Sequence, residues 1–513
     1  MLTHYYQKLL SASLANRGAV LLLSAIIIAS LPVLFSLSQQ ELAPQEDDGY
    51  VYVVGNPPSY ANLHYINAFL DQMVDAWKAV PEVTMSWQVS SPTYNFGGLT
   101  LSHWDERDRS AAEITLELQE KFGEIAGLEL FVFGNPPLPG SDAGLPVSFV
   151  VASTAPYKEV LSVGEALLDA ARKSGLFAFV TQTLEFSRPE LGVNIDRERA
   201  ARLGISMQDI GETLAVMLGE AEINRFAMEG RAYKVIPQAA QGFRLNSREL
   251  EKYYLRTASG ELVPLSAVIT LEESVQPNVL TQYQQMNSTT IQGMMMPPNS
   301  LGTGLEFLRE TLYDIAPTGF RDGYTEGSRA FVQESASFPA LFSVSLIIIF
   351  LVLAAQFNSF RDPLIVLVTV PLSIFGATIP IAMGVVSLNI YTQVGLLTLI
   401  GLISKHGILI VDFANQLVAK GLSRQAAVLE AAALRLRPIL MTTFATVLGV
   451  VPLVLASGAG ANSRFGIGLM IAAGMLVGTL FTLFIVPVFY LLWRQEKGPV
   501  SAHLADELSP TVG

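Results

Sequence analysis

The sequence predicts a membrane α-helical bundle of six transmembrane helices, with an α+β block of about 300 residues inserted after the first of them. Three observations point there. Half of the 513 residues are apolar and only 15% are charged, where a soluble domain carries about 25%. Six stretches are each apolar over the length of about 20 residues that a bilayer requires. Between the first and second of these, the pattern reverts to amphipathic strands and helices. The composition also excludes function classes. A net charge of -13 leaves no basic field for nucleic acid. With no cysteine, disulfides, thiolate metal sites and cysteine nucleophiles are ruled out, while an oxidising compartment is compatible. No phosphate-cradling glycine loop, nucleophile triad or zinc-type histidine spacing supports an ATPase or a hydrolase.

The six stretches lie near Gly18–Leu37, Phe338–Gln356, Leu364–Met383, Tyr391–Leu417, Ile439–Ala456 and Gly466–Trp493. The first is longer than a secretory h-region, and Leu37-Ser38-Gln39-Gln40-Glu41 offers no small-x-small cleavage site, so it reads as an uncleaved anchor. Positive residues fix the expected orientation. Lys8, Arg17, Arg361, Lys420, Arg424, Arg435, Arg437, Arg494 and Lys497 all fall on one side. The short loops Gly384–Asn389 and Ser457–Ser463 fall on the other and carry no positive charge, with Arg464 at an edge as the exception. Both termini are then expected in the cytoplasm and Ser38–Ser337 outside. Tyr490 and Trp493 suit an interfacial aromatic anchor.

The exported block has its own order. Tyr50–Val54 reads as a strand; Asn56-Pro57-Pro58-Ser59 is a turn in which Ser59 can cap a helix presenting Leu63, Ile66, Leu70, Met73 and Trp77 on one face. Strands follow at Thr84–Val89 and Leu99–His103, then a helix at Arg109–Phe122 and a strand at Leu128–Phe133. This β-α-β-β-α-β order is that of the ferredoxin-like split βαβ unit. A second such unit starts with Val147–Ala152, Lys158–Lys173 and Phe177–Leu184, and finishes with Ser288–Met296, Leu301–Leu312 and a short strand near Gly323. The insert between its halves holds a capping-box start at Ser206-Met207-Gln208-Asp209 and a hairpin pattern, Ile223–Ile236, around Gly230.

Lys405 is the most informative residue. It lies well inside the fourth apolar stretch, where a lysine costs about 2.5–3.5 kcal/mol on insertion scales and normally has a partner. About two apolar turns separate it from the cytoplasmic end, which makes snorkelling a long reach. The other five stretches contain no Asp or Glu; Glu334 and Asp362 sit at their edges. Asp412 shares the face of Lys405 but stands about 10 Å along the axis, too far to pair directly. The chain thus supplies the cation of an intramembrane cluster whose anions are expected from elsewhere.

Three runs carry a family resemblance. Gln393–Val411, containing Gly401-Leu402-Ile403-Ser404-Lys405-His406-Gly407, resembles the tenth span of resistance-nodulation-division (RND) exporters of the hydrophobe/amphiphile multidrug branch. Arg435-Leu436-Arg437-Pro438-Ile439-Leu440-Met441-Thr442-Thr443 resembles the start of their eleventh span, and Gln356-Phe357-Asn358-Ser359-Phe360-Arg361-Asp362-Pro363 the loop between the eighth and ninth. The similarity runs from about Thr3 to Trp493. Members usually have two parallel halves of six spans, and this chain resembles the second. The resemblance implies a secondary active transporter rather than an enzyme, with no cofactor beyond the proton gradient, in a Gram-negative inner membrane. Implied partners are a missing N-terminal half carrying intramembrane aspartates, a homotrimer of complete units, a periplasmic adaptor protein, an outer-membrane channel and amphiphilic small molecules.

The same resemblance assigns domains and sites. The layout is residues 1–39 for the cytoplasmic N-terminus and first span, 40–140 for one periplasmic porter subdomain, and 141–186 with 279–330 for a second. Residues 187–278 form a docking-domain insert, 331–495 spans two to six, and 496–513 a cytoplasmic tail. Lys405, Thr442 and Arg435 are assigned to the proton relay, although a threonine there can simply bond a backbone carbonyl and Arg435 can be a topology anchor. His406 reads as a packing residue. The loop Ser91–Gly98, with Tyr94 and Phe96, stands where the family has an aromatic drug-path loop; Phe131 and Phe133 are pocket wall or core. A related branch exports copper and silver through methionines, but Met294, Met295 and Met296 are consecutive in a strand and alternate in direction, which favours packing. Competing readings are a half-sized relative assisting protein or lipid export, a heavy-metal exporter, and a scaffold without transport.

Overall fold

The computed structural model describes residues 2–493 except 59, 92–94, 137, 139–144, 220, 278 and 297–298, so the Ser59 cap, Tyr94, Arg494 and Lys497 lie outside the described residues. The chain forms two compact units, one of Met1–Pro57, Leu63–Thr183 and Thr281–Gly513, the other of Pro58–Asn62 and Leu184–Leu280.

The larger unit begins with a helix the apolar pattern did not show, α1 (Leu2–Ala15), whose Tyr6, Leu10 and Leu14 are buried. The first membrane-length helix is α2 (Arg17–Ser36). The first α+β part then follows as β1 (Tyr50–Asn56), α3 (Leu63–Lys78), β2 (Val83–Val89), β3 (Asn95–Leu101), α4 (Ala111–Phe122) and β4 (Glu129–Gly134). Its strands pair antiparallel in the order β2-β3-β1-β4. Period-2 alternation turns Val51, Val53, Leu99, Leu101, Leu130 and Val132 inward as buried residues. The amphipathic stripes of α3 (Ile66, Leu70, Met73, Trp77) and α4 (Ile114, Leu118, Phe122) are buried with them. Ser110 and Glu113 close a capping box at the start of α4.

The third strand starts four residues before the expected Leu99, so Phe96 sits in β3 and not in a loop. Asn95-Phe96-Gly97-Gly98 reads locally as a turn. The glycines serve another end: a Cβ at Gly97 would meet the Trp77 ring at 3.0 Å, and one at Gly98 the Trp87 indole at 2.9 Å.

A second sheet is built from β5 (Val147–Ser153), α5 (Tyr157–Ser174) and β6 (Phe177–Gln182). The chain then leaves for the smaller unit: β7 (Arg188–Ile195), α6 (Arg197–Arg202), α7 (Met207–Leu218), β8 (Asn224–Met228), β9 (Arg231–Val235), β10 (Tyr254–Arg256), β11 (Leu262–Pro264) and β12 (Ile269–Gln276). Inside that unit β7 pairs with β12, β8 with β9 and β10 with β11. Its core gathers Ala200, Ile205, Ile210, Leu250, Leu255, Leu265 and Val268. Ser206 and Asp209 form the expected capping box of α7.

The return segment adds β13 (Thr281–Tyr283), β14 (Met286–Met295), α8 (Leu301–Ile315) and β15 (Phe320–Tyr324). Here β6 and β5 both pair with β14, and β15 pairs with β5, repeating the connectivity of the first sheet. A register shift falls between Met294 and Met295, so the simple alternation expected of the methionine run breaks there, and Met295 packs over Gly304 of α8.

The remaining helices are α9 (Glu326–Phe357), α10 (Arg361–Leu367), α11 (Thr369–Ala382), α12 (Ile390–Ala419), α13 (Arg424–Val454) and α14 (Ala461–Trp493). Among the described residues, six helical segments, with α10 and α11 counted together, are long and apolar enough to cross a membrane. The 32 residues of α9 extend about 48 Å at 1.5 Å per residue, more than a bilayer core needs. Its first turns are pinned to β5 by Ser328 and Thr325, which bond Ser148 at 2.9 and 2.6 Å. The break between α10 and α11 is caused by Pro371, which has no N–H for the Leu367 carbonyl. Tyr490 corrects an expectation: it is fully buried and donates to Asn415 Oδ1 at 2.8 Å, so only Trp493 of the pair is exposed.

Candidate functional site

The membrane site is built on α12, whose two faces differ. Leu396, Leu399, Ile400, Ile403, Ile410 and Val411 are buried. Val394, Thr398, Gly401, Lys405, Asp412 and Gln416 are exposed at helical spacing, a mostly small and polar row interrupted between Lys405 and Asp412 by the half-buried Ile408 and Leu409. Lys405 stands in the middle of that row. Among the described residues no carboxylate lies within salt-bridge distance of it, and Asp412, one step of seven along the same face, accepts from Gln416 at 2.9 Å.

The other assigned relay residues lie on α13. Thr442 is brought to α12, but to His406 and not to Lys405: its Oγ1 is 3.2 Å from His406 Nε2. It also reaches the carbonyls of Pro438 and Ile439 at 3.0 and 2.9 Å, the bond that threonines within helices commonly make. Arg435 is half-buried, with its guanidinium 4.5 Å from the centre of the Phe413 ring of α12 and its Nε buried without a hydrogen-bond partner. Such stacking holds a guanidinium at a membrane helix surface while its other nitrogens remain free to bond.

From the sequence alone, His406 reads as a packing residue without partners. It is buried, and both ring nitrogens are engaged: Nδ1 lies 3.3 Å from Thr479 Oγ1 on α14, whose oxygen is 2.9 Å from Thr443 Oγ1 on α13. The partners stand 36 and 73 residues away in the chain, beyond the reach of any local pattern. Towards the basic end, Asp362 is buried in the first turn of α10 and accepts from Asn415 Nδ2 at 3.0 Å.

A second candidate surface lies on the first sheet. The faces of β1–β4 opposite Val51, Val53 and Val132 carry an aromatic row. Trp87 meets Phe96 edge-on at 5.3 Å between centroids; Phe96 stacks on Tyr52 at 5.5 Å, and Tyr52 lies 6.0 Å from Phe133. Phe131 stacks on Phe179 of β6 at 3.7 Å. Sequence reasoning named Phe96, Phe131 and Phe133; it missed Trp87 and Tyr52, which the alternation of β1 and β2 places on the same face. Such rings offer flat apolar contact with little entropy to lose.

These features define a polytopic membrane protein of the transporter class: six apolar helices, a lysine at depth, and two repeated α+β units between the first and second helices. A family model described as the AcrB/AcrD/AcrF family matches residues 1–494, and the chain belongs to that family of RND transporters. It is 38% identical over 505 residues to a protein of Haemophilus influenzae described as an uncharacterized transporter, covering 96% of this chain and 49% of that one. It is 32% identical over 499 residues to the multidrug/solvent efflux pump membrane transporter MepB of Pseudomonas putida, covering 95% and 47%. With the multidrug export protein AcrF of Escherichia coli the identity is 31% over 514 residues, covering 96% and 49%. The chain spans about half the length of the curated relatives it matches.

Proposed function

We propose that this chain acts as the C-terminal half of a proton-driven RND efflux permease that exports amphiphilic compounds. Lys405 is the cation of an intramembrane charge cluster whose carboxylates belong to a companion half. The observation that carries this reading is the uncovered row of α12. An exposed lysine with Thr398, Gly401, Asp412 and Gln416 exposed on the same side, opposite a packed face, fits a second helix that brings carboxylates to its depth. Thr442 and Arg435 line the approach to that cluster from α13. Proton binding and release there would change the charge of the cluster and so the packing of the helices around it.

On the exported side, the two β-α-β-β-α-β units fit two ferredoxin-like porter subdomains, the smaller unit fits a docking insert, and the aromatic row of β1–β4 fits the wall of a substrate path. The complete assembly would work as an inner-membrane trimer with a periplasmic adaptor and an outer-membrane channel. The relatives named for multidrug and solvent export support amphiphilic substrates. The test is Lys405→Ala in the complete transporter, measured as resistance to a panel of amphiphilic toxicants beside membrane protein level. Resistance is expected to vanish with protein retained. Wild-type resistance in the variant would refute the relay role.

A further inference from the structure

We propose that His406 is a positioning residue, which holds the Thr442 hydroxyl of α13 in place and ties it to Thr479 of α14. This rests on the relay role proposed for Lys405 and Thr442.

The argument starts from hydrogen-bond accounting inside an apolar bundle. Thr442 has one hydroxyl hydrogen and three acceptors within reach: the Pro438 carbonyl at 3.0 Å, the Ile439 carbonyl at 2.9 Å and His406 Nε2 at 3.2 Å. A threonine served only by its own helix would be free to choose between the carbonyls. His406 removes that freedom, because its ring is buried and clamped from the far side by Thr479 at 3.3 Å. Thr479 is clamped in turn by Thr443 at 2.9 Å, and Thr443 donates to Ile439 O at 3.0 Å.

Either imidazole tautomer leaves every member of this chain bonded. With hydrogen on Nε2, the ring donates to Thr442, which donates to its backbone, and Nδ1 accepts from Thr479. With hydrogen on Nδ1, the ring donates to Thr479, which donates to Thr443, and Nε2 accepts from Thr442. Imidazole satisfies both ends because each hydroxyl can donate or accept. A packing residue would need no such polar chain, since an aliphatic side chain fills the volume without one. Lys405 precedes His406 on α12, so the residue beside the proposed proton site is also the one joined to α13 and α14.

The test uses the complete transporter in cells. Ethidium, rhodamine 6G and Nile red are first screened for energy-dependent export that is lost in Lys405→Met. Export of the identified dye is then measured in His406→Leu, Thr479→Val, their double variant and His406→Gln, each normalised to protein in the membrane. The two single variants are expected to lower export about tenfold each, the effect of losing one hydrogen bond in the rate-limiting state. The double variant is expected to be no slower than His406→Leu, because the chain can be cut only once. His406→Gln, whose amide keeps a donor and an acceptor, should recover part of the rate. Wild-type export in Thr479→Val, or effects that multiply in the double variant, would overturn the proposal. If His406→Leu fails to accumulate, Thr479→Val and His406→Gln carry the decision. Export of no dye, or normal export in Lys405→Met, would instead sink the transport reading and leave that failure distinct.

Discussion

Gly478→Ala is expected to part α14 from α11, and the size of the effect follows from two Cβ positions. A Cβ built on Gly478 lies 2.5 Å from Ser373 Cβ and 3.0 Å from Ile403 Cδ1. The reciprocal position, Gly376 on α11, would clash with Val477 Cβ. A Cβ atom is fixed to its backbone, so no rotamer change at Ser373 relieves the overlap. The helices must move apart by about 1 Å to restore a contact near 3.5 Å. Overpacking of this kind costs about 1–3 kcal/mol. Gly211→Ala is the internal control, since it lies in α7 with nothing within 4 Å of the added methyl. There the same substitution should stabilise by about 0.5–1 kcal/mol, because alanine has less backbone freedom to lose. Thermal unfolding of the purified protein in detergent, followed by scanning calorimetry, reads both. A Gly478→Ala midpoint at or above wild type would refute the close-packing argument, and Gly376→Ala added to it should cost less than it does alone.

Three further outcomes concern the α+β part. Ser206→Ala removes the capping bond to Asp209 and should cost about 1 kcal/mol, seen as faster amide exchange confined to the first turn of α7. Asp47 accepts from the Arg107 guanidinium and from the Ala111 amide; burial works to raise its carboxyl, but those bonds hold it below the usual aspartate range. A depressed folded value means the unfolded chain binds more protons, so this contribution is complete above about pH 3.9 and fades as pH falls through the folded value. Unfolding midpoints measured from pH 6 to pH 3 should therefore drop less steeply in Asp47→Asn than in wild type. Phe131→Ala should destabilise by more than the area lost, by about 0.5–1.5 kcal/mol, because it also removes the stack on Phe179; Phe179→Ala made in that background should then cost less than it does alone by the same amount.

What the sequence could show depended on how far each signal had to reach. Lys405 stands out because one charge in an apolar run needs no partner to be noticed. The two β-α-β-β-α-β runs were legible because alternation and amphipathic stripes are local. The start of β3 was not, because Asn95-Phe96-Gly97-Gly98 looks like a turn until Trp77 and Trp87 are laid across it. Tyr490 at the end of an apolar stretch looks like an interfacial anchor until Asn415, 75 residues away, takes its hydroxyl. The partners of His406 are equally remote. In each case the missing term was a long-range contact, which composition and periodicity do not encode.

The described contacts converge on α14, and that narrows how a change at Lys405 can travel within this chain. At its N-terminal end, the Glu46 carboxylate accepts from Asn462 N at 3.1 Å and from Ser463 N at 2.7 Å, closing the helix start with a charge that suits its dipole. The next residue, Asp47, does the same for α4 of the first sheet through Ala111 N at 3.0 Å. Halfway down, Gly478 sits against Ser373 of α11 and Thr479 against His406 of α12. A displacement of α14 along its axis would therefore strain a hydrogen bond to the helix carrying Lys405 and, through Glu46 and Asp47, the start of α4 on the first sheet. Packed helices with such fixed attachments shift as units and do not deform smoothly. Glu46→Gln removes the charge and, because the two amides bond different carboxylate oxygens while a glutamine amide has one acceptor oxygen, also one of the two amide bonds; it should weaken the helix start by about 0.5–1.5 kcal/mol. Glu46→Ala frees both amides and should raise amide exchange at Asn462 and Ser463; unchanged exchange there would break the link between α14 and the first sheet.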